Sequence, residues 1–344
     1  MKTSALAIAV LWPGLLAGLA GAGPVDLRQR AKELQDLKWG MSIRWSLSTF
    51  SGKDLTPGVK DMAFFKATGC DTDQWARTAK EAEMGYILFM AKHHDGFCMW
   101  DTKSTMRKVT KSPLKRDVLA ELHQSCDKYG IKLALYFAEG EFADNKSYHP
   151  RGYLPEMKKT QLRELLTDFG PIQYLWIDHS QGDGGINHAD TTAWCKLLQP
   201  GCFVGYDGGQ VSGDIRVAEW GRPAPLAATP GAGWSYYSVG RGNYLLAGFT
   251  YPILPAHEGG AKWFYSLPKH DNLCLPADKL YADYLGAVKY GNIFSIDVGP
   301  DPAGKLRDID VRTLREVGEM IRNGREKKQV ILDGKMDQQG GDDK

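Results

Sequence analysis

Short apolar runs alternate with amphipathic stretches along almost the whole chain, and this alternation constrains the fold more than any other feature. Several runs are apolar without interruption, which is typical of parallel strands that are covered on both faces. Eight runs separated by helical patterns predict an α/β fold, a single (β/α)8 TIM-like barrel with irregular fifth to seventh units. The predicted strands are residues 41–45, 86–91, 132–137, 172–177, 202–206, 215–218, 262–265 and 292–298.

Helical periodicity fills most of the intervals between these strands. The stretch 221–255 is instead rich in Gly, Pro and Ala, and predicts a long active-site loop. Residues 326–344 are polar and predict a flexible tail, so the predicted catalytic barrel spans residues 23–325. The predicted helices are residues 72–83, 116–128, 156–168, 189–198, 277–289 and 308–323.

Residues 1–22 have the pattern of a signal peptide. Lys2 supplies the positive start, an apolar run covers residues 5–19, and Ala20-Gly21-Ala22 offers an Ala-x-Ala cleavage site. A membrane anchor is the alternative, but the run is shorter than the ~20 residues that a spanning helix needs. We therefore expect a secreted or periplasmic protein that has no membrane contact after cleavage.

Composition narrows the classes of partner and cofactor. Apolar residues make up 43% of the chain, enough for a large core, and the net charge of +2 with interleaved Lys, Arg and carboxylates disfavours nucleic-acid binding. None of the six cysteines forms a Cys-x-x-Cys pair, which disfavours a zinc ribbon or a redox motif. Cys195 and Cys202 lie closest in sequence, and both a disulfide and buried thiols fit the pattern. The sequence predicts no cofactor and no metal, and it does not indicate an oligomeric state.

Reactive side chains recur where the predicted strands end. Catalytic residues of (β/α)8 barrels lie at the C-terminal ends of the strands, so carboxylates at many of these ends favour a catalytic pocket over solvated loops. Aromatic residues concentrate at the same ends, and each alone is more simply explained by core packing. Beside carboxylates they favour a sugar site, because the apolar face of a sugar ring stacks on an aromatic ring. The expected partner is therefore an oligosaccharide or a polysaccharide.

Glycoside hydrolysis needs one carboxylate as nucleophile or base and a second group as proton donor. Asp178 is the predicted nucleophile, because it follows the apolar run 174–177, which would hold it rigidly at the mouth of the barrel. A helix N-cap is the alternative role for this residue. Glu219 is the predicted acid/base, and Glu258 remains a rival that the sequence separates only weakly.

A set of motifs occurs in a fixed order between residues 73 and 304. They are Asp73-x-Trp75, Ala91-Lys92-His93-His94-Asp95-Gly96-Phe97, Ser112-Pro113-x-Lys115-Arg116-Asp117, Leu175-Trp176-Ile177-Asp178, Trp263-Phe264-Tyr265 and Val298-Gly299-Pro300-Asp301. Together they resemble the signature of glycoside hydrolase family 29, the α-L-fucosidase family. The resemblance covers roughly residues 37–324, the barrel domain of that family.

The resemblance implies an exo-glycosidase that releases a terminal α-L-fucosyl or related α-L-sugar residue with retention of configuration. In the family an aspartate at the position of Asp178 forms a covalent glycosyl-enzyme. His93 and His94 are expected to bind sugar hydroxyls. The remaining expected substrate-binding residues are Trp45, Tyr136, Trp176 and Trp263.

One branch of the family has an Asp-Ile-Arg segment shortly before its acid/base glutamate. Asp214-Ile215-Arg216 precedes Glu219 here, at a shorter spacing, which supports Glu219 and adds Arg216 to the expected substrate contacts. Other members have the acid/base later in the chain, which favours Glu258.

The chain departs from the family inside the sugar pocket. The family usually has histidine where Arg44 stands, tyrosine where Phe137 stands and glycine where His179 stands. An alternative is therefore a changed specificity, for an α-L-galactoside, an α-L-glucoside or a sulfated fucose. The hypothesis is that Arg44 binds an anionic substituent or a differently oriented hydroxyl, since its guanidinium is a charged, planar donor.

Two other classes compete with a glycosidase. A metal-dependent hydrolase could use His93, His94, His179 and Asp297 as ligands, but the first strand lacks a His-x-His pair and no histidine ends the fifth or sixth strand. A sugar-binding homologue that has lost catalysis is the second alternative, against which the retained carboxylates argue.

Overall fold

The computed structural model describes residues 25–139, 155–178, 188–207, 213–226 and 244–339 of the chain. Within this part, eight strands form one sheet in which every pairing is parallel. The strands are β1 (Trp39–Ile43), β2 (Tyr86–Lys92), β3 (Lys132–Ala138), β4 (Ile172–Asp178), β5 (Phe203–Tyr206), β6 (Ile215–Glu219), β7 (Leu246–Pro252) and β8 (Ile293–Val298).

The strand order β5-β4-β3-β2-β1-β8-β7-β6 leaves β5 and β6 at the two edges of the sheet. These edges meet, because the Asp214 N–H donates to the Val204 carbonyl over 2.8 Å. The Val204 N–H in turn donates to Asp214 Oδ2 over 2.9 Å. The sheet therefore forms a nearly closed barrel, and the predicted (β/α)8 fold class is confirmed.

Helices pack around the outside of the barrel. Five of the six predicted helices have ends within two residues of the prediction. Helix α4 ends at Gly130, whose φ of 68° is the left-handed conformation that glycine adopts readily. The helices are α1 (Leu27–Asp36), α2 (Leu47–Ser51), α3 (Thr72–Glu81), α4 (Val118–Tyr129), α5 (Pro155–Thr167), α6 (His188–Leu198), α7 (Ala277–Tyr290) and α8 (Asp308–Gln339).

Side chains along each strand alternate between two apolar clusters. One cluster fills the inside of the barrel and includes Leu88, Met90 and Val217. The other lies between the strands and the helices and includes Met41 and Ile43 of β1. Because successive strand residues point to opposite faces, this alternation decides which residues past each strand end can reach the mouth of the barrel.

The predicted seventh strand at residues 262–265 is wrong. The strand is β7, which lies within the stretch 221–255 that the sequence predicts as a loop. Gly248 of β7 contributes to the loop-like composition, but a Cβ there would lie 3.0 Å from Ile293 and 3.3 Å from Ile215. Glycine at this position marks close packing inside the barrel rather than a turn.

The two ends of the described chain also differ from expectation. Helix α1 was not predicted from the sequence, although Asp26 caps it by accepting from the N–H groups of Arg28 and Gln29. Helix α8 continues to Gln339, where the sequence predicts a tail from residue 326. The predicted signal peptide lies outside the described residues. Among the described helices, none combines the length and apolarity needed to cross a membrane.

All six cysteines lie in the described residues, and all are free thiols. Cys195 and Cys202 are both fully buried, and burial raises the pKa of each thiol. The sequence allows either a disulfide or buried thiols for this pair, and the structure has buried thiols.

Candidate active site

Asp178 is the last residue of β4 and is buried at the C-terminal mouth of the barrel. The Tyr136 hydroxyl donates a hydrogen bond to its Oδ2, and His94 Nε2 lies 3.2 Å from the same oxygen. Burial opposes ionisation of this carboxyl. The hydrogen bond and charge of His94, together with Tyr136 and Arg44, outweigh burial and lower the pKa of Asp178. Asp178 is therefore held as a carboxylate.

A bulge at the end of β2 brings two neighbouring histidines to the same side. The register between β2 and β3 shifts between Met90 and Lys92, so simple alternation ends there. Lys92 turns outward, with its ammonium over the Phe137 ring. The His93 ring lies 4.4 Å from that of His94 and 5.1 Å from that of Phe264, inside the barrel.

Arg44 follows β1 and enters the pocket, because Ile43 before it faces the helices. Its Nε donates to Asp297 Oδ1 over 2.7 Å, and its Nη2 lies 3.3 Å from Glu219 Oε1. The guanidinium also lies 4.7 Å from the Tyr136 ring centroid and 4.8 Å from that of Trp263. Burial opposes its positive charge, but the charges of Asp297 and Glu219 raise the pKa of Arg44 above its ordinary value.

Glu219 is the last residue of β6, and its side chain is 23% exposed. Burial among other side chains raises the pKa of this carboxyl well above its ordinary value. The negative charges of Asp207, Asp178 and Asp297 raise it further, while Arg44 opposes them. A proton is therefore held on Glu219 at pH values where most glutamates have lost theirs.

The pocket thus contains two carboxyl groups whose pKa values are moved in opposite directions. They influence each other, since the charge of Asp178 raises the pKa of Glu219. One ionised carboxylate beside one protonated carboxylic acid is the arrangement that glycoside hydrolysis requires.

Two aromatic residues named from the sequence also lie here. Trp176 of β4 is buried in the inner cluster with Tyr136, and its indole Nε1 has no hydrogen-bond partner among the described residues. Trp263 lies in the segment after β7, where its N–H and that of Lys262 donate to Asp54 Oδ1 over 3.0 Å and 2.8 Å. These bonds tie that segment to the loop after α2, so the Trp263 ring is held over Arg44.

Three predicted site residues lie elsewhere. Trp45 faces the helices, where its ring packs 4.8 Å from Phe65 and its Nε1 donates to the Asp301 carbonyl over 3.0 Å. Arg216 lies one residue from inward-facing Val217, and its guanidinium donates outward to the Leu226 carbonyl over 2.9 Å. Strand alternation places both on the outer face of the described barrel, so the structure lends no support to the substrate contacts predicted for them.

Glu258, the third, is exposed on the segment after β7. The neighbouring His257 ring lies 4.3 Å from that of His270, and no described contact connects Glu258 with Asp178, Arg44 or Glu219. The structure therefore favours Glu219 as the second carboxyl group.

Four residues of the pocket have no role in the glycosidase predicted from the sequence. Asp297 of β8 accepts from Arg44 and from the Thr250 hydroxyl, and Asp207 after β5 adds negative charge next to Glu219. Phe264 packs on His93. Asp207 directly follows the predicted fifth strand and Asp297 lies within the predicted eighth strand, and inward alternation along β5 and β8 is the signal that places them in the pocket. Thr250 gave no such signal, because β7 was misplaced.

The metal-dependent hydrolase considered in the sequence analysis would need a group of side chains that can bind a metal ion. In the ranges that the structure covers, no three His, Cys, Asp or Glu side chains are grouped to hold a metal ion. His179, one of the four residues named for this alternative, lies outside these ranges.

A (β/α)8 barrel with an ionised and a protonated carboxyl group at its C-terminal mouth is typical of the glycoside hydrolases. A family model described as Alpha-L-fucosidase matches residues 29–325. The chain belongs to the α-L-fucosidase family, glycoside hydrolase family 29, and the resemblance seen in the sequence is confirmed.

Similar proteins and solved structures agree with this family assignment. Alpha-L-fucosidase 1 of Arabidopsis thaliana is 28% identical over 316 residues, which cover 83% of this chain and 59% of the plant protein. A glycoside hydrolase 29 family member from an unknown rumen bacterium is 27% identical with a TM-score of 0.69, over 88% of this chain and 57% of that one. Alpha-L-fucosidase isoenzyme 1 from Paenibacillus thiaminolyticus has the same fold, with a TM-score of 0.69 at 22% identity over 86% of this chain and 76% of that chain. The chain spans a little under three fifths of the length of the first two.

Proposed function

We propose that this chain is an exported, retaining exo-glycosidase that releases a terminal α-L-fucosyl residue, or a related α-L-sugar, from an oligosaccharide or a polysaccharide. The opposite pKa shifts of Asp178 and Glu219 in one pocket are the observation on which this proposal depends. Family membership supports the sugar, and the pattern of residues 1–22 supports export.

The reaction has two steps. In the first, Asp178 attacks the anomeric carbon while Glu219 gives its proton to the leaving oxygen, so a carbon–carboxylate bond replaces the glycosidic bond. In the second, Glu219 takes a proton from water as that water attacks the same carbon and releases Asp178. His94 and Tyr136 hold the nucleophile in place.

A changed sugar specificity is the second candidate, and Arg44 favours it. The guanidinium stands where the family usually has a histidine that contacts the sugar. Because the carboxylate of Asp297 already balances its charge, its remaining N–H groups suit a neutral hydroxyl better than a sulfate.

A panel of nitrophenyl α-L-glycosides tests both candidates. We expect turnover of the α-L-fucoside, the α-L-galactoside or the α-L-glucoside, and little turnover of a sulfated fucoside. A 2-fluoro-fucosyl fluoride should label Asp178, which peptide mass spectrometry detects. No turnover of any α-L-glycoside together with no labelling would instead identify a sugar-binding homologue without catalysis.

Replacing Arg44 tests the buried ion pairs. Arg44→Met leaves Asp297 buried without its cation, so we expect the free energy of unfolding to fall by about 3–5 kcal/mol. Urea unfolding of the wild type, Arg44→Met, Asp297→Asn and the double variant measures the effect. We expect the double variant to lose less than the sum of the two single losses, because the pair is coupled. Strict additivity would mean that the two residues do not stabilise each other.

A further inference from the structure

An aromatic surface leads from the pocket to solvent. Trp220 directly follows Glu219, and 46% of its surface is exposed. Its ring lies 4.8 Å from that of Trp263 at an interplanar angle of 59°. Trp263 in turn lies over the guanidinium of Arg44. The two indoles therefore form a row of aromatic rings that leads from Arg44 in the pocket to the rim of the barrel.

The backbone fixes the Trp220 side chain in this position. Its φ of 51° is in the left-handed region, which bulky residues rarely occupy. Strand β6 holds the chain on one side. On the other side the Gly221 N–H donates to the Thr250 carbonyl over 3.3 Å. A Cβ at Gly221 would lie 2.4 Å from the Phe249 side chain, so the chain there is pressed against β7. A strained residue held from both sides is a reason to look for a function.

The proposed role of Glu219 indicates which part of the substrate the neighbouring Trp220 indole contacts. The acid of a glycosidase protonates the leaving oxygen, so the leaving group must lie beside Glu219. In the proposed reaction the sugar that is released would lie deeper, near Asp178, His94 and Trp176. An indole that follows Glu219 and points outward is therefore placed to contact the leaving group, and its flat apolar face suits the apolar face of a pyranose ring.

We propose that Trp220, supported by Trp263, forms the platform on which the leaving-group sugar stacks, so that the enzyme acts preferentially on oligosaccharides whose penultimate residue is a pyranose. This inference rests on the proposed glycosidase function and adds the leaving-group side of the substrate to it.

Two substrates distinguish an effect on binding of the leaving-group sugar from an effect on the reaction itself. An α-L-fucosyl disaccharide has a leaving-group ring, whereas α-L-fucosyl fluoride has none. The test variant is Trp220→Gly, because glycine adopts a left-handed φ without strain and the indole is removed at little backbone cost. Trp220→Phe keeps an aromatic face. Tyr290→Ala, at the end of α7, removes another exposed aromatic ring and serves as the matched control.

We expect Trp220→Gly to lower kcat/KM for the disaccharide about tenfold, the order of one aromatic contact, and to leave the fluoride within about twofold. Trp220→Phe should recover most of the loss, and Tyr290→Ala should change neither value. A wild type that hydrolyses neither kind of substrate, whether fucosyl or built on the other α-L-sugars of the panel, overturns the proposed function and this inference with it. A wild type that hydrolyses both, with the same factor lost on each in Trp220→Gly or no loss on the disaccharide, overturns the platform alone.

Discussion

Asp178→Asn is expected to lower kcat by about 10³-fold or more on every substrate that the wild type accepts, since the amide cannot form the glycosyl-enzyme. The amide has nearly the same shape as the carboxylate, and Tyr136 can still donate to its oxygen. The fold should therefore survive, and the thermal midpoint should stay close to that of the wild type. Steady-state rates and thermal unfolding on the same preparation measure both quantities.

Two controls make this result specific to the nucleophile. Asp127→Asn changes a carboxylate on α4 that is 73% exposed, and we expect wild-type rates from it. Asp178→Ala leaves space for azide, which should attack the anomeric carbon in place of the carboxylate. The product from an α-L-substrate would then be a β-L-glycosyl azide, which NMR identifies. An Asp178→Asn rate within tenfold of the wild type would remove this residue from the role of nucleophile.

The position of Asp178 could be predicted because it depends on local sequence. The apolar run before it forms β4, and the C-terminal end of that strand lies at the mouth of the barrel. The same local logic predicts the position of Glu219, whereas both histidines are expected in the pocket only from the family resemblance, because neighbours on a regular strand face opposite ways. Arg44 was also placed correctly, but its partners were not, because Asp297 and Glu219 are distant in sequence and only the closed barrel brings them together.

The sequence predictions that differ from the structure do so for two physical reasons. Trp45 lies just beyond the end of β1 and Arg216 near the start of β6, and both lie on the outer face, as alternation from Met41 and Val217 indicates. Strand β7 was missed because Gly248 weakens its strand pattern, while packing against its neighbours requires glycine there. The nearby 262–265 run forms no strand, and its Trp263 and Phe264 rings lie against Arg44 and His93 instead.

Glu219 and Glu258 are the two candidates for the acid/base in the sequence, and their two glutamine variants should differ widely in activity. Glu219→Gln removes the proton donor, so we expect kcat/KM for a disaccharide to fall about 10²- to 10⁴-fold. A dinitrophenyl glycoside needs little protonation of its leaving group and should lose far less in the first step. Glu258→Gln should behave as the wild type on both substrates, because its carboxylate is exposed and outside the pocket.

The pH profile gives an independent result for the same pair of variants. Glu219 acts protonated, so wild-type kcat/KM should fall as pH rises through its raised pKa. Asp178 acts ionised, so kcat/KM should also fall as pH drops through its lowered pKa. Glu219→Gln should abolish the alkaline limb and keep the acidic one, whereas Glu258→Gln should keep both. Loss of the alkaline limb in Glu258→Gln would transfer the acid/base role to that residue, and would require Glu258 itself to move into the pocket when substrate binds.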